Sequence, residues 1–108
     1  MEVRPKEVRI FETADGKQPF EIWLERISDL KTRARIDARL ARVRTGNFGD
    51  CRPVGEGVLE LRLDFGPGYR IYVGLKGETQ VIVLCGGDKS TQHADIEKAQ
   101  KFWREYKE

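Results

Sequence analysis

A chain of 108 residues is long enough for one hydrophobic core and too short for two of ordinary size, so a single domain spanning residues 1–108 is expected. Hydrophobic residues make up 39% of it and charged residues 35%, which excludes a disordered chain and favours a folded, well-solvated one. The net charge of only +2 excludes no class of partner, so the distribution of charge is more informative than its sum.

Targeting and cofactor signals are missing from the sequence. No apolar run approaches the roughly 20 residues that span a bilayer, and the charged start MEVRPKEVRIFET lacks the apolar stretch of a signal peptide. Cys51 and Cys85 have no CxxC spacing and no histidine or further cysteine near enough for a zinc site. We therefore expect reduced, packed cysteines, no metal or cofactor, no membrane contact and a cytoplasmic location.

The N-terminal part predicts a strand followed by a helical hairpin. Glu7–Thr13 alternates apolar and polar side chains and ends in the turn signal ADGK, as strands often do. A first helix is predicted from Pro19 to about Ser28, and its apolar stripe consists of Phe20, Trp23, Leu24 and Ile27. A second helix is predicted over Lys31–Arg44, and Gly46 is predicted to stop it. Its apolar stripe consists of Ile36, Leu40 and Val43.

The second predicted helix carries the densest positive charge in the chain. It holds one acid, Asp37, and six basic residues: Lys31, Arg33, Arg35, Arg39, Arg42 and Arg44. Arg35, Arg39 and Arg42 are candidates for binding the phosphates of a polyanion such as a nucleic acid, in which case binding weakens with salt, or for binding an acidic partner protein. The alternative is a helix surface that is simply solvated by arginines.

The middle of the chain predicts an antiparallel hairpin. Leucines alternate with charged residues in LELRL (59–63), and Tyr69, Ile71 and Val73 alternate with polar residues after a reversal at Phe65–Gly68. If the apolar set faces the helices, the opposite face carries Glu60, Arg62, Asp64, Arg70 and Tyr72. Arg62 and Arg70 are then neighbours on adjacent strands. The alternative is an ordinary solvent face on which Asp64 or Glu60 pairs with the arginines.

Three further elements complete the predicted order. Pro53 cannot donate to a ladder, so CRPV is predicted as a short edge strand. A turn at Lys76–Glu78 leads into QVIVLC (80–85), whose uniformly apolar pattern indicates a strand buried on both faces. Ser90 or Thr91 is predicted to cap a last helix, whose shared apolar face is formed by Ile96, Ala99, Trp103 and Tyr106. The fold class is α+β: an N-terminal strand and a helical hairpin packed on a curved antiparallel sheet, with a C-terminal helix.

The segment between the buried strand and the last helix, GGDKSTQH, supplies further functional candidates. Gly86 and Gly87 are predicted to turn the chain sharply. Lys89 is predicted to lie at a helix N-terminus, where free amides and the helix dipole favour a phosphate. His93, the single histidine, is a candidate general acid or base near neutral pH, with plain solvent exposure as the competing interpretation.

The stretches GVLELRLDFGPGYRIYV and VIVLCGGDKSTQHADIEKAQKFW resemble the RelE/ParE superfamily of toxins from bacterial toxin–antitoxin systems, in particular its HigB-like, phage-derived addiction module killer proteins. The resemblance covers nearly the whole chain and rests on ELR (60–62), GPGYR (66–70) and GGDKSTQ (86–92). It implies a RelE-like fold. It also implies what many members do: metal-independent cleavage of messenger RNA in the ribosomal A site, by attack of a ribose 2′-hydroxyl on the adjacent phosphate.

The resemblance also assigns residues and partners. Arg70 matches the catalytic arginine of the GYR motif, Lys89 matches the basic residue after the last strand, and Arg62 matches an arginine that binds phosphate or shapes the sheet. The lysine pair of RelE is absent, with Glu60 near one of its places, and His93 is the nearest candidate for proton transfer. The implied partners are a cognate antitoxin, commonly of the helix-turn-helix type, and the ribosome with its messenger RNA.

Two other functions stay open from the sequence. One is a ParE-like toxin that inhibits DNA gyrase with the same fold but without the ribonuclease residues, and gyrase-dependent DNA cleavage with intact messenger RNA would favour it. The other is a catalytically inactive relative that only binds an antitoxin, and lack of toxicity on expression alone would favour it.

Overall fold

Five strands and three α-helices follow in the predicted order within residues 4–107, the part of the chain that the computed structural model describes. The strands are β1 (Glu7–Ile10), β2 (Cys51–Pro53), β3 (Val58–Leu63), β4 (Tyr69–Lys76) and β5 (Gln80–Asp88). The helices are α1 (Pro19–Glu25), α2 (Leu30–Arg44) and α3 (Gln92–Lys107), and a 3₁₀ turn at Lys89–Thr91 leads into α3. The α+β fold class is confirmed, although β1 and α1 both end three residues earlier than predicted.

The strands form one sheet in the order β1-β5-β4-β3-β2. From β2 to β5 the pairing is antiparallel, as predicted. β1 is the exception, because it lies parallel to β5 with Glu7 opposite Gln80. A parallel pair needs a long connection, which the rest of the chain between β1 and β5 supplies. The expectation of a wholly antiparallel sheet was therefore wrong at this one edge.

Helices cover both faces of the sheet. α1 and α2 pack on one face and bury all three residues of the predicted α2 stripe together with Phe20 and Leu24. α3 packs on the other face and buries Ala99 and Trp103 of its own stripe against β3, β4 and β5. Each large apolar side chain that is fully buried stabilises the fold by about 1.5–3 kcal/mol. The fold thus has two apolar layers, and β5 lies buried between them as predicted.

The second layer corrects the expectation of a polar face open to solvent. Glu60 and Tyr72 both have 0% of their surface exposed, because α3 covers the middle of that face. The apolar stripe of α3 needs a surface to bury against, and the first face is already occupied by α1 and α2. The end of this face near Arg62 and Arg70 stays open, and both side chains are partly exposed there.

Gly86 and Gly87 lie within β5, opposite Ile71 and Arg70, so the sharp turn predicted for them was wrong. Their small size serves helix packing instead. A Cβ on Gly86 would lie 2.3 Å from the ring of Trp23, and a Cβ on Gly87 would lie 1.8 Å from a carboxylate oxygen of Asp95. The two glycines therefore let α1 and α3 approach opposite faces of the same strand.

Both cysteines are free, as predicted. Cys85 is buried, and that burial raises the pKa of its thiol to about 12, so it stays protonated. Across the described residues, no group of His, Cys, Asp and Glu side chains has the arrangement of a metal site. Over the same residues no helix is both long and apolar enough to cross a bilayer.

Candidate functional site

The part of the sheet that α3 leaves uncovered forms a cleft of about 550 Å³. Three predicted site residues, Arg62, Arg70 and Lys89, line this cleft together with two carboxylates, Asp50 and Asp64. Arg62 and Arg70 lie directly opposite each other on β3 and β4, which confirms that they are neighbours. The structure therefore brings together three cations from three separate segments of the sequence.

The turn between β3 and β4 shapes one wall of the cleft. Gly66 and Gly68 have φ angles of 56° and 79°, in the left-handed region that favours glycine. A Cβ on Gly68 would lie 3.3 Å from Cβ of Lys89 and 3.4 Å from Nη1 of Arg70, so both side chains flank the same point of the turn. The glycine-rich turn thus brings Lys89 close to Arg70.

Neighbouring groups contact the guanidinium of Arg70 on its inner side. Its side chain is 13% exposed, and its Nε lies 3.8 Å from Oε1 of Glu60, just beyond hydrogen-bond length. Its Nη1 donates to the carbonyls of Gly68 and Tyr69, at 3.2 and 3.3 Å. The guanidinium is therefore fixed on its inner side by a carboxylate and two backbone carbonyls.

Arg62 is held by Asp50. Nη2 of Arg62 donates to Oδ1 of Asp50 at 2.9 Å, and this hydrogen bond raises the pKa of Arg62. The Nε atoms of both Arg62 and Arg70 are shielded from solvent and lack a hydrogen-bond partner among the described residues. Each cleft arginine thus has one carboxylate beside it and part of its hydrogen-bonding capacity unused.

Glu60 is a buried anion behind the cleft. Its carboxylate accepts hydrogen bonds from Nε of Arg52 at 3.0 Å, the hydroxyl of Tyr72 at 3.0 Å and the amide of Gln92 at 2.8 Å. Burial alone would raise its pKa, but these hydrogen bonds outweigh burial and lower the pKa below the ordinary value. Burial and the adjacent Glu60 charge raise the pKa of the Tyr72 hydroxyl. Tyr72 therefore stays a neutral donor.

Arg39 is buried, which corrects its prediction as an RNA-binding residue. Its guanidinium donates to the backbone carbonyls of Phe48, Asp50 and Arg62, at distances of 2.6 to 3.1 Å. Burial, and next the charge of Arg42, lower the pKa of this arginine, and it keeps its charge because arginine titrates so high. These four hydrogen bonds use most of the donors of Arg39 and tie the loop before β2 to β3.

Arg35 and Arg42 are exposed, as predicted, and line a groove of about 320 Å³ between α2 and the β3–β4 turn. The guanidinium carbon of Arg35 lies 3.8 Å from the centre of the Phe65 ring, a cation–π contact. Leu63 and Asp64 line both this groove and the cleft. The two depressions thus form one continuous surface.

The comparisons with known proteins identify the family of this chain. Residues 23–107 match the family described as "Phage derived protein Gp49-like (DUF891)", which lies in the RelE/addiction-module killer group of toxins. The chain belongs to this Gp49-like family. An uncharacterized protein of Haemophilus influenzae (strain ATCC 51907 / DSM 11121 / KW20 / Rd) is 46% identical to it over 86 residues, which cover 80% of this chain and 87% of that protein.

At the start of α3 in this Gp49-like protein, the surroundings of His93 fit its competing interpretation as a solvent-exposed residue. His93 is not among the cleft-lining residues; its side chain is 93% exposed, and its Nε2 lies 3.1 Å from Oε1 of Glu97. Asp88 caps the 3₁₀ turn, since its carboxylate accepts from the Ser90 amide at 2.8 Å. The Thr91 hydroxyl, one of the two predicted capping groups, completes this capping box by accepting from the Asp88 amide at 3.3 Å. An acid therefore already occupies the helix terminus at which a phosphate was expected.

Sequence reasoning on this Gp49-like chain missed Asp50 as part of the cleft, because it comes from the loop before β2 and no periodicity marks it. Asp64 was named on the polar face, but only as an ion-pair partner of the arginines. In the structure Asp64 is exposed and has no hydrogen-bond or ion-pair partner among residues 4–107. Asp64 is therefore a cleft carboxylate that is free to act on a ligand.

Proposed function

We propose that this Gp49-like protein is the toxin of a toxin–antitoxin module and that it acts as a metal-independent, ribosome-dependent endoribonuclease. The observation that carries the proposal is the convergence of Arg62, Arg70 and Lys89 on one cleft. When a ribose 2′-oxygen attacks the adjacent phosphorus, the phosphate group gains a further negative charge in the transition state. Fixed cationic donors stabilise this charge more than they stabilise the substrate.

The residues of the cleft fit the steps of such a reaction. Arg70, held on its inner side, binds the non-bridging phosphate oxygens, and Arg62 faces it across the hairpin. Lys89, on the other side of the turn, donates to the 5′-oxygen as it leaves. Asp64 is the proposed acceptor of the 2′-hydroxyl proton, because Asp50 is engaged by Arg62. The expected products carry a 2′,3′-cyclic phosphate and a 5′-hydroxyl.

His93 is the second candidate for proton transfer. His93 is the second residue of α3, and its imidazole lies at the surface beside Glu97. A proton acceptor must reach the 2′-hydroxyl directly or through one water. Asp64 meets this condition from within the cleft, so it takes precedence.

The groove between α2 and the turn supports binding of the RNA outside the scissile phosphate. Arg35 and Arg42 supply charge there, and the Arg35–Phe65 stack offers a flat cationic surface for a nucleobase. The proposed partners are therefore messenger RNA on the ribosome, in the cytoplasm, and a cognate antitoxin of the helix-turn-helix type that covers the cationic cleft.

The test is expression of the chain without an antitoxin, followed by mapping of transcript 5′ ends. The wild type should arrest growth and produce new 5′ ends within translated regions, whereas Arg70→Ala should do neither. Arg44→Ala is the matched control, since it removes an exposed arginine of α2 that lines neither depression. Gyrase-dependent DNA cleavage with intact transcripts, or no toxicity at all, would contradict the proposal and favour one of the two alternatives.

A further inference from the structure

The two oxygens of the Glu60 carboxylate face different parts of the protein. Oε2 accepts from Tyr72 and from Gln92 of α3, which anchor it to the second apolar layer. Oε1 accepts from Arg52 on the edge strand and is also the oxygen that lies 3.8 Å from Nε of Arg70. The carboxylate therefore joins α3 and β2 to the rear of the guanidinium that lines the cleft.

These contacts leave one nitrogen of the Arg70 guanidinium without a partner. Its Nε is turned toward Glu60, and its Nη1 is used by the carbonyls of Gly68 and Tyr69. Within residues 4–107, Nη2 of Arg70 has no hydrogen-bond partner. Nη2 is thus the group that remains for a phosphate oxygen, provided that the guanidinium plane does not rotate.

Glu60 itself is unsuited to proton transfer in the cleft. Its side chain is 0% exposed, and both oxygens are already engaged by donors. A buried carboxylate of this kind acts through its charge and its fixed position.

We propose that Glu60 is a positioning residue: its buried negative charge orients the guanidinium of Arg70 so that Nη2 points into the cleft. This inference rests on the ribonuclease function proposed above. Neither the charge nor the orientation is supplied by Asp50, which pairs with Arg62 on the far side of the hairpin. The role differs from plain structural support because it predicts a loss in the chemical step beyond any loss of stability.

The experiment compares Glu60→Gln with Tyr72→Phe in the full chain, using cleavage of messenger RNA on programmed ribosomes. Glu60→Gln removes the charge beside Arg70, whereas Tyr72→Phe removes one donor from Oε2 and leaves the charge. We expect kcat to fall about 100-fold in Glu60→Gln, with KM changed less than about threefold. Tyr72→Phe should keep both within about threefold while lowering the melting temperature.

A second readout does not depend on activity. Nuclear magnetic resonance of ¹⁵N-labelled arginine side chains reports rotation about the Nε–Cζ bond of Arg70. In the wild type this rotation should be slower than in exposed Arg44, and Glu60→Gln should make it measurably faster. Should Glu60→Gln not fold, the wild-type measurement still decides, since free rotation of Arg70 would overturn the inference.

The outcomes separate the two proposals. If Arg70→Ala cleaves like the wild type, the ribonuclease assignment fails, and the rotation measurement still decides whether Glu60 orients Arg70. If Arg70→Ala is inactive but Glu60→Gln keeps its kcat, only the positioning role is overturned. Losses of activity in Glu60→Gln and Tyr72→Phe that simply follow their melting temperatures would overturn it as well.

Discussion

Arg62 and Arg70 lie directly opposite each other on neighbouring antiparallel strands, although both are permanently charged. Like charges at such positions repel each other and destabilise a sheet. One carboxylate compensates each of them, Asp50 at 2.9 Å from Arg62 and Glu60 at 3.8 Å from Arg70. An anion bound between the two arginines would relieve the remaining repulsion, so binding of an anion at this pair should be measurable as a gain in stability.

Inorganic phosphate is expected to stabilise the protein. At ten times its Kd, a bound anion stabilises the folded state by about 1.4 kcal/mol, which raises the Tm by several degrees. Thermal unfolding with and without phosphate measures the effect. Arg70→Ala should abolish the rise and Arg44→Ala should keep it; an equal rise in all three proteins would place the anion elsewhere.

Alanine substitutions of Arg39 and Arg42 are expected to differ in their effects on stability and RNA binding, although the two residues lie one turn apart on α2. Arg39→Ala leaves the carbonyls of Phe48, Asp50 and Arg62 without their donor and should lower the free energy of unfolding by about 3 kcal/mol. Arg42→Ala should change it by less than about 0.5 kcal/mol and instead weaken RNA binding. Urea unfolding and salt-dependent RNA binding check the two statements. Similar losses of stability in both variants would contradict the structural role of Arg39.

A methyl group on Gly86 is expected to force α1 away from the sheet. Its Cβ would lie 2.3 Å from the Trp23 ring, so Gly86→Ala should lower the free energy of unfolding by about 1–3 kcal/mol. The double variant Gly86→Ala/Trp23→Leu should recover part of that loss relative to Trp23→Leu alone, because the clashing ring is gone. Strictly additive effects in urea unfolding would show that the two residues do not contact each other.

Substitutions of Asp64 and His93 are expected to show which of them accepts the proton. Asp64→Asn should lower kcat about 100-fold or more, since it removes the proposed proton acceptor while keeping the shape of the side chain. His93→Ala should change kcat less than about threefold, because the imidazole lies at the surface beside Glu97. Single-turnover cleavage on ribosomes measures both. The reverse pattern would assign the proton transfer to His93.

Glu60 is expected to contribute stability that depends on pH. Its pKa is lower in the folded state than in the unfolded chain, so the contribution is present above the unfolded value of about 4.3 and is lost as the pH falls through the folded value. The contribution of Asp95 to stability has the opposite pH dependence. Burial raises the pKa of its carboxyl, so this contribution becomes more favourable as the pH falls. The difference in unfolding free energy between wild type and Glu60→Gln isolates Glu60. It should shrink on acidification below about pH 4, and a constant difference would contradict the lowered pKa.

Periodicity in the sequence predicted most of the fold. The α2 stripe of Ile36, Leu40 and Val43 is wholly buried, and the uniformly apolar start of β5 lies between two layers, as predicted. The parallel pairing of β1 was missed because local patterns carry no information on which edge a distant strand joins. The position of α3 was missed because Glu60 and Tyr72 have the alternation of a solvent face, while their mutual hydrogen bond makes burial tolerable.

The candidate site was only partly predictable. Arg62 and Arg70 follow from strand register, while Lys89 was named from its predicted place at a helix N-terminus and again from the motif resemblance. Arg39 was misjudged because an arginine on a basic helix looks the same in sequence whether its donors meet solvent or backbone carbonyls. Asp50 was missed because the shape of a loop, rather than a repeat, brings it to Arg62.

Chemical identification of the RNA ends tests the central claim most directly. Purified protein is incubated with programmed ribosomes, and the termini of the cleaved messenger RNA are identified. The cleft of Arg62, Arg70 and Lys89 predicts 5′-hydroxyl and 2′,3′-cyclic phosphate ends for the wild type, and intact messenger RNA for Arg70→Ala. Intact messenger RNA with the wild type, or equal cleavage by Arg70→Ala, would contradict it.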